Sequence, residues 1–284
     1  MRSIREVLSQ DTALLSTDLA LAPDEARIEV QMLLRHALQV QRAYLLAHPE
    51  QVLDPGQTTA YDALLQRRRQ GEPIAHILEE REFFGLAFKV TPATLIPRPD
   101  TELLVESALQ LISRSQSCRV LDLGTGSGAI ALSIAHARPE AGVMAVDASA
   151  AALAVARENA QRLDIANVEF LQSDWFSALG GQTYDLIVSN PPYIAAGDVH
   201  LSQGDLRFEP MTALAAGPDG LDDIRRIVLG ASAHLSPKGW LLLEHGYDQA
   251  QAVQALLRRN GFAAVFSAKD IAGIERVSGG QIVA

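Results

Sequence analysis

Directly after the mostly apolar run Tyr184–Val188, the chain reads Ser189-Asn190-Pro191-Pro192-Tyr193. Two adjacent prolines remove two backbone N–H donors and restrict the residues before them. The stretch therefore offers hydrogen-bond acceptors, the Asn190 side-chain oxygen and nearby carbonyls, beside the aromatic face of Tyr193. Such a surface suits a planar group carrying an NH2, either a carboxamide or the exocyclic amine of a base. The same residues also spell a proline-rich turn closing a strand.

A second segment bears on that choice. Leu121-Asp122-Leu123-Gly124-Thr125-Gly126-Ser127-Gly128 has the composition of a turn from strand into helix, where glycines let the backbone approach a ligand closely. Nineteen residues after Gly128 stands Asp147, placed to accept both hydroxyls of a ribose. A dinucleotide would use Gly-x-Gly-x-x-Gly, with the helix N-terminus on its pyrophosphate. Here the spacing is Gly-x-Gly-x-Gly, and Asp122 stands just before it. That carboxylate repels a pyrophosphate and attracts an ammonium, directly or through water. S-adenosylmethionine carries an ammonium and a sulfonium and no phosphate, so the electrostatics favour it. Further on, Ser173-Asp174-Trp175 offers an indole to stack on adenine and a carboxylate to accept from its amine. Those two residues read equally as a capping Asp and a packed Trp.

The elements that must position these residues follow from periodicity. From Arg119 on, short apolar strands alternate with helices: strands at Val120–Leu123, Val143–Val146, Val168–Leu171, Leu186–Val188 and Trp240–Leu243, helices at Ala129–Ala137, Ala150–Leu163, near Leu221–Leu235 and near Gln249–Arg259, and room for two more strands in 262–283. This alternation predicts an α/β fold, a Rossmann-like, mainly parallel sheet with helices on both faces. All the motifs then fall on turns at one carboxyl edge, where ligands bind in such sheets. Residues 1–75 instead show helical spacing, as in Pro23–Leu38 and Thr58–Gln70, and predict a small all-helical domain. Phe83–Val90 reads as a strand pair or hairpin within a linker over 76–97, with Asp100 or Thr101 able to cap the helix that runs on through Leu111. The run Arg67-Arg68-Arg69 reads as a solvated helix end, because residues 1–85 carry nine Arg against thirteen Asp and Glu. Residues 194–208 read as a mobile loop that orders on substrate binding.

Composition narrows the function classes. With 284 residues, 48% of them apolar, a full core is available, and a net charge of −10 repels nucleic acid and anionic membrane at long range. The single cysteine, Cys118, excludes an internal disulfide and a multi-Cys zinc site, and reads as a buried inert thiol. The seven histidines show no metal-ligand spacing, so no metal is expected, and His76 reads as structural. Neither a signal peptide nor a membrane span is visible. The expectation is a cytoplasmic protein with no membrane partner.

Together the motifs resemble the class I methyltransferases and, more narrowly, the PrmC/HemK family of release-factor glutamine methyltransferases. The resemblance covers nearly the whole chain. It rests on Gly71–Ile77, Glu82–Gly85, Leu95-Ile96-Pro97-Arg98-Pro99-Asp100-Thr101-Glu102, Asp122–Gly128, Val146-Asp147, Ser189–Tyr193, Glu209-Pro210 with Ala213-Leu214, and Asp219–Leu221. One departure is Leu78-Glu79-Glu80, where such proteins often carry a glycine turn. The resemblance implies a docking domain over 1–75 and a methyltransferase domain with a seven-stranded sheet over 98–284. It implies that Gly124, Thr125, Gly126, Ser127, Gly128, Asp147, Trp175 and Asn190 contact S-adenosylmethionine, with S-adenosylhomocysteine as product. Asn190, Pro191, Pro192 and Tyr193 would hold the glutamine of the Gly-Gly-Gln motif in class I peptide chain release factors.

On that footing Asn190 and the Pro191 carbonyl are expected to accept the two amide N–H bonds while Tyr193 packs on the amide plane. Arg98 and Glu209 have no assigned role. The chain's own Gly279-Gly280-Gln281 reads as a strand-end turn. The alternative is an adenine amino methyltransferase acting on a flipped base of nucleic acid. It requires a basic face, whereas residues 86–284 hold fifteen basic and twenty-one acidic side chains, so no direct nucleic-acid contact is expected. An oxidoreductase using nicotinamide is disfavoured by the glycine spacing and Asp122.

Overall fold

The computed structural model describes residues 1–113 and 117–283. The chain divides into two compact units, Met1–Glu79 and Glu80–Ala284.

The first unit is helical: α1 (Ile4–Leu19), α2 (Pro23–Leu38), α3 (Arg42–Ala47), α4 (Pro55–Arg69) and α5 (Ile74–Leu78). Their starts follow from local chemistry. Ser3 and Glu6 form a capping box on α1, and Asp54 and Gln57 one on α4. Pro23 followed by Asp24 and Glu25 opens α2. Ile4, Val7, Val30, Leu33, Leu34, Tyr61 and Leu65 meet in its core. Arg67 and Arg69 are exposed at the end of α4, as a solvated helix end requires, but the middle of the run is not. Arg68 is only 4% exposed and donates to both carboxylate oxygens of Glu29, at 2.7 and 3.0 Å, while Arg67 pairs with Glu72 and Arg69 with Asp18. Sequence counting missed the buried pair because Glu29 lies 39 positions from Arg68. Glu79, where a glycine was expected, takes the left-handed conformation itself (φ 55°) as the C-cap of α5.

The second unit begins with an antiparallel hairpin, β1 (Glu80–Phe83) and β2 (Leu86–Lys89). It continues through α6 (Glu102–Leu111), β3 (Arg119–Leu123), α7 (Ala129–Ala137), β4 (Gly142–Asp147), α8 (Ala150–Arg162), β5 (Val168–Gln172), β6 (Tyr184–Ser189), α9 (Asp222–Ala231), β7 (Leu235–Glu244), α10 (Ala250–Arg259), β8 (Phe262–Lys269) and β9 (Glu275–Ile282). Seven strands form one sheet in the order β5-β4-β3-β6-β7-β9-β8. The first five are parallel, and β9 runs antiparallel to both its neighbours. Separate apolar clusters cover the sheet, one containing Leu104, Val105 and Leu132, the other Ile224, Ile227, Val253 and Leu257.

The hairpin lies with this unit. Lys89 exchanges two hydrogen bonds with the Asn159 amide of α8, and the Phe84 amide donates to Glu102. No side chain caps α6; the chain enters it through a 3-10 turn at Pro99–Thr101 instead. Gly279-Gly280-Gln281 is not a strand-end turn. It lies within β9, opposite Leu242, Leu241 and Trp240. A Cβ on Gly279 would sit 2.3 Å from Leu242 Cδ2 and 3.0 Å from the Leu241 carbonyl oxygen, so a larger residue there would force its neighbours to shift. Among the described residues no helix is long and apolar enough to cross a membrane.

Candidate active site

The strand order reverses between β3 and β6, which are neighbours although distant in sequence. In sheets of this kind a crevice opens at that point. Leu123 pairs with both Val146 and Ser189, and Ser189 with Leu243. The carboxyl ends of β3, β4, β6 and β7 are therefore level, and the Ser189 hydroxyl ties two of them by donating to the Leu123 carbonyl at 2.7 Å. The glycine loop and the Asn190 turn leave the sheet side by side.

A cavity of about 790 Å3 opens there. Gly124, Thr125, Gly126, Ser127, Asp147, Trp175, Asn190 and Pro192 line it; Gly128, Pro191 and Tyr193 do not. Gly124 (φ 72°) and Gly128 (φ 84°) both need the left-handed region. A Cβ on Gly124 would reach to 3.4 Å from the Trp175 ring, and one on Gly128 to 3.0 Å from Leu132 Cδ1. Trp175 itself sits at φ 49°, a strained position for a bulky residue. The Ser173 hydroxyl holds it by donating to its carbonyl at 2.7 Å.

Asp147 accepts from the Gly126 and Ser149 amides at 2.9 and 2.8 Å, which leaves each oxygen a further lone pair. Asp174 lines the cavity too, but its carboxylate is held by Arg226 at 3.0 and 3.1 Å. The reading of Asp122 as a direct ammonium partner is corrected. Its side chain is fully buried and does not line the cavity. Oδ2 accepts from the Thr125 hydroxyl (2.7 Å) and the Ala131 amide (3.2 Å), so an acid already occupies the α7 N-terminus where a pyrophosphate would bind. Burial pushes its pKa up to about 7, against the smaller opposing effect of those two bonds.

Asn190 donates from Nδ2 to the Thr101 hydroxyl at 3.2 Å. Its Oδ1 is thereby turned away from Thr101. Tyr193 points its hydroxyl at Glu244, 3.3 Å away, rather than into the cavity. Burial of Tyr193 raises its pKa.

The roof of the cavity comes from two segments without a regular pattern. Pro92–Leu95 and Pro97 supply one wall, Pro210, Thr212, Ala213 and Ala215 another. Glu209 joins them. Its buried carboxylate accepts from the Ile96 amide at 2.9 Å and pairs with Arg98. The signal for this pair in the sequence is only that two charged residues sit beside prolines. Residues 194–208 form 3-10 turns at Val199–Ser202 and Gly204–Phe208. Their start is held by Ile194, which exchanges backbone bonds with Leu214 and Ala216.

The donor set fits S-adenosylmethionine. Asp147 offers lone pairs for ribose hydroxyls, Trp175 an aromatic face, and the glycine loop a close backbone approach with no space reserved for phosphate.

Comparison with known proteins agrees. A family model described as "Methyltransferase small domain" matches residues 99–206, and one described as "PrmC N-terminal domain" matches residues 13–78. A Release factor glutamine methyltransferase of Bordetella pertussis is 54% identical over 266 residues, covering 93% of this chain and 98% of its own. One of Xylella fastidiosa is 50% identical, covering 90% and 93%. In structure, a methyltransferase from Pyrococcus furiosus superposes with a TM-score of 0.54 at 20% identity, over 77% of this chain and 98% of that one, a likeness of fold. At this level of identity over nine-tenths of its length, the chain belongs to the release factor glutamine methyltransferase family.

Proposed function

We propose that this cleft transfers a methyl group from S-adenosylmethionine to the side-chain amide nitrogen of the glutamine in the Gly-Gly-Gln motif of class I peptide chain release factors. The observation that supports it best is the shared cavity: the glycine loop, Asp147 and Trp175 open onto the same space as Asn190 and Pro192. Bound S-adenosylmethionine supplies an electrophilic methyl on a sulfonium.

An amide nitrogen is a weak nucleophile because its lone pair is delocalised, so this chain's residues must act by positioning. Holding the reactants in line is worth about 7–11 kcal/mol of barrier. Asn190 Oδ1 accepts an N–H of the substrate amide, helps to fix the NH2 plane and favours positive charge developing on nitrogen. Pro191 lies outside the cavity lining, and its carbonyl is given no bond to the substrate. Pro192 closes the wall of the cavity beside Asn190. Asp147 holds the ribose, Trp175 faces the adenine, and Gly124, Thr125, Gly126, Ser127 and Gly128 form the loop beneath. The proton leaves the methylated nitrogen late and passes to water.

The helical unit docks the release factor. The partner is protein rather than nucleic acid or membrane, in keeping with the net charge of −10, and the work is done in the cytoplasm, where release factors act. Incubation with S-adenosylmethionine and a release factor, followed by mass measurement of the Gly-Gly-Gln peptide, tests the reading. A gain of one methyl on the glutamine is expected. An unmodified peptide, or methyl transfer to DNA instead, overturns it.

A further inference from the structure

Behind the Asn190 amide lies a buried carboxyl group with no task so far. Glu244 ends β7 and is 2% exposed. Its Oε1 accepts from the Tyr193 hydroxyl, and the Thr101 hydroxyl stands close enough to help hold its charge. Its Oε2 has no hydrogen-bond partner among the described residues. Thr101, 4% exposed, already accepts from Asn190 Nδ2. A hydroxyl that accepts from an amide must send its own proton elsewhere, and Glu244 is the carboxylate beside it.

We propose that Glu244 is a positioning residue that sets the polarity of the Asn190 side chain through Thr101, so that the amide oxygen and not its NH2 faces the cleft. The proposal rests on Asn190 as the acceptor of the substrate carboxamide. Its logic is a count of protons. An ionised carboxylate only accepts, so Thr101 donates to Glu244, and the Thr101 oxygen is left to receive an N–H of Asn190. The Asn190 oxygen then has no partner in the relay and serves the substrate NH2. A protonated Glu244 reverses every step. It donates to Thr101, Thr101 donates to Asn190 Oδ1, and the NH2 group swings to the cleft, where it faces the substrate NH2, donor against donor.

The titratable and charged groups facing Glu244 are Tyr193 after β6, Asp100 ahead of α6 and Arg276 on β9. Burial outweighs them and pushes the carboxyl up to about 7; Asp100 adds to that, while Thr101, Tyr193 and Arg276 oppose it. His245, the next residue, is engaged on Ser278 at 2.8 Å and stands outside the relay. Turnover should therefore fall as pH drops through this range.

The test uses the full-length enzyme, S-adenosylmethionine and an intact release factor, from about pH 5.5 to 9. Five proteins are compared: the wild type, Glu244→Gln, Thr101→Val, Thr101→Ser and Asn190→Ala. Calorimetry on each gives cofactor affinity. Glu244→Gln and Thr101→Val should lower kcat by about ten- to a hundredfold, with KM and cofactor affinity little changed. Glu244→Gln should also lose the acid limb of the pH profile, and Thr101→Ser, which keeps the hydroxyl, should restore most of the rate. In 15N spectra the Asn190 side-chain amide should titrate near neutrality in the wild type and not in Glu244→Gln. An inactive Asn190→Ala beside a fully active Thr101→Val or an unmoved acid limb overturns the relay alone. A nearly normal Asn190→Ala overturns the reading of Asn190, and the relay with it. If Glu244→Gln does not fold, the Thr101 pair and the wild-type titration decide: equal rates, or a flat Asn190 signal, overturn the proposal.

Discussion

Asp147 and Asp122 are both strand-end acids, and their surroundings give them opposite duties. Asp147 lines the cavity with lone pairs to spare. Replacing it by alanine is expected to weaken S-adenosylmethionine binding by about 1.5–3 kcal/mol, the worth of a charge-assisted hydrogen bond. Calorimetry showing unchanged affinity would remove Asp147 from the site. Asp122 is sealed beneath the loop, with its pKa raised from the ordinary 3.8 to about 7. The folded chain thus keeps a proton that the unfolded chain has already lost. That contribution to stability is complete below the unfolded value and disappears as pH rises through the folded one, at about 1.4 kcal/mol per pKa unit. Asp122→Asn cannot titrate, so its melting temperature should fall less than the wild type's between about pH 5 and 8. Glu244 has the same sign and leaves part of the slope in place. A variant with the full wild-type slope would refute the assignment.

At the scale of elements, the cavity depends on a strap that no helix or strand supports. Ile96–Arg98 is anchored by the Glu209 carboxylate, through one backbone amide and one guanidinium. Glu209→Ala would leave the Ile96 amide unpaired in a buried setting. The expected destabilisation is about 1–3 kcal/mol, towards the lower end because Arg98 is about a third exposed and can turn to water. Hydrogen exchange at Ile96 should quicken while that of the β3 core amides stays slow. Equal protection in both proteins would show that other contacts hold the strap.

At the scale of the whole molecule, every residue lining the cavity belongs to the unit Glu80–Ala284. Residues 80–284 expressed alone should bind S-adenosylmethionine with an affinity within about a factor of three of the full chain, or about 0.6 kcal/mol. They should methylate an intact release factor far more slowly if the helical unit docks it, as proposed. A fragment as fast as the full chain on the intact factor would remove the docking role from that unit.

The legible part of this protein was the part governed by local rules. A period of 3.6 marked Pro23–Leu38, because burial of one face is written into neighbouring positions, and strand-helix alternation marked Ala129–Ala137; both match the helices found. Strand-helix alternation implied a parallel sheet, and a parallel sheet brings every motif turn to one edge, so Gly124, Asp147, Trp175 and Asn190 could be grouped before any coordinates. What stayed hidden depends on partners distant in sequence. The Arg68–Glu29 pair spans 39 positions, the Glu209 anchor on Ile96 113, and the Asn190–Thr101 bond 89. The Gly-Gly-Gln run reads as a turn because glycine marks turns locally, yet it lies inside β9, where a side chain on Gly279 would crowd Leu242 of β7. Sequence alone determined which chemistry-bearing residues share an edge. Tertiary structure alone decided which carboxylates face the cleft and which are buried behind it, because desolvation and long-range hydrogen bonds exist only once the chain has closed on itself.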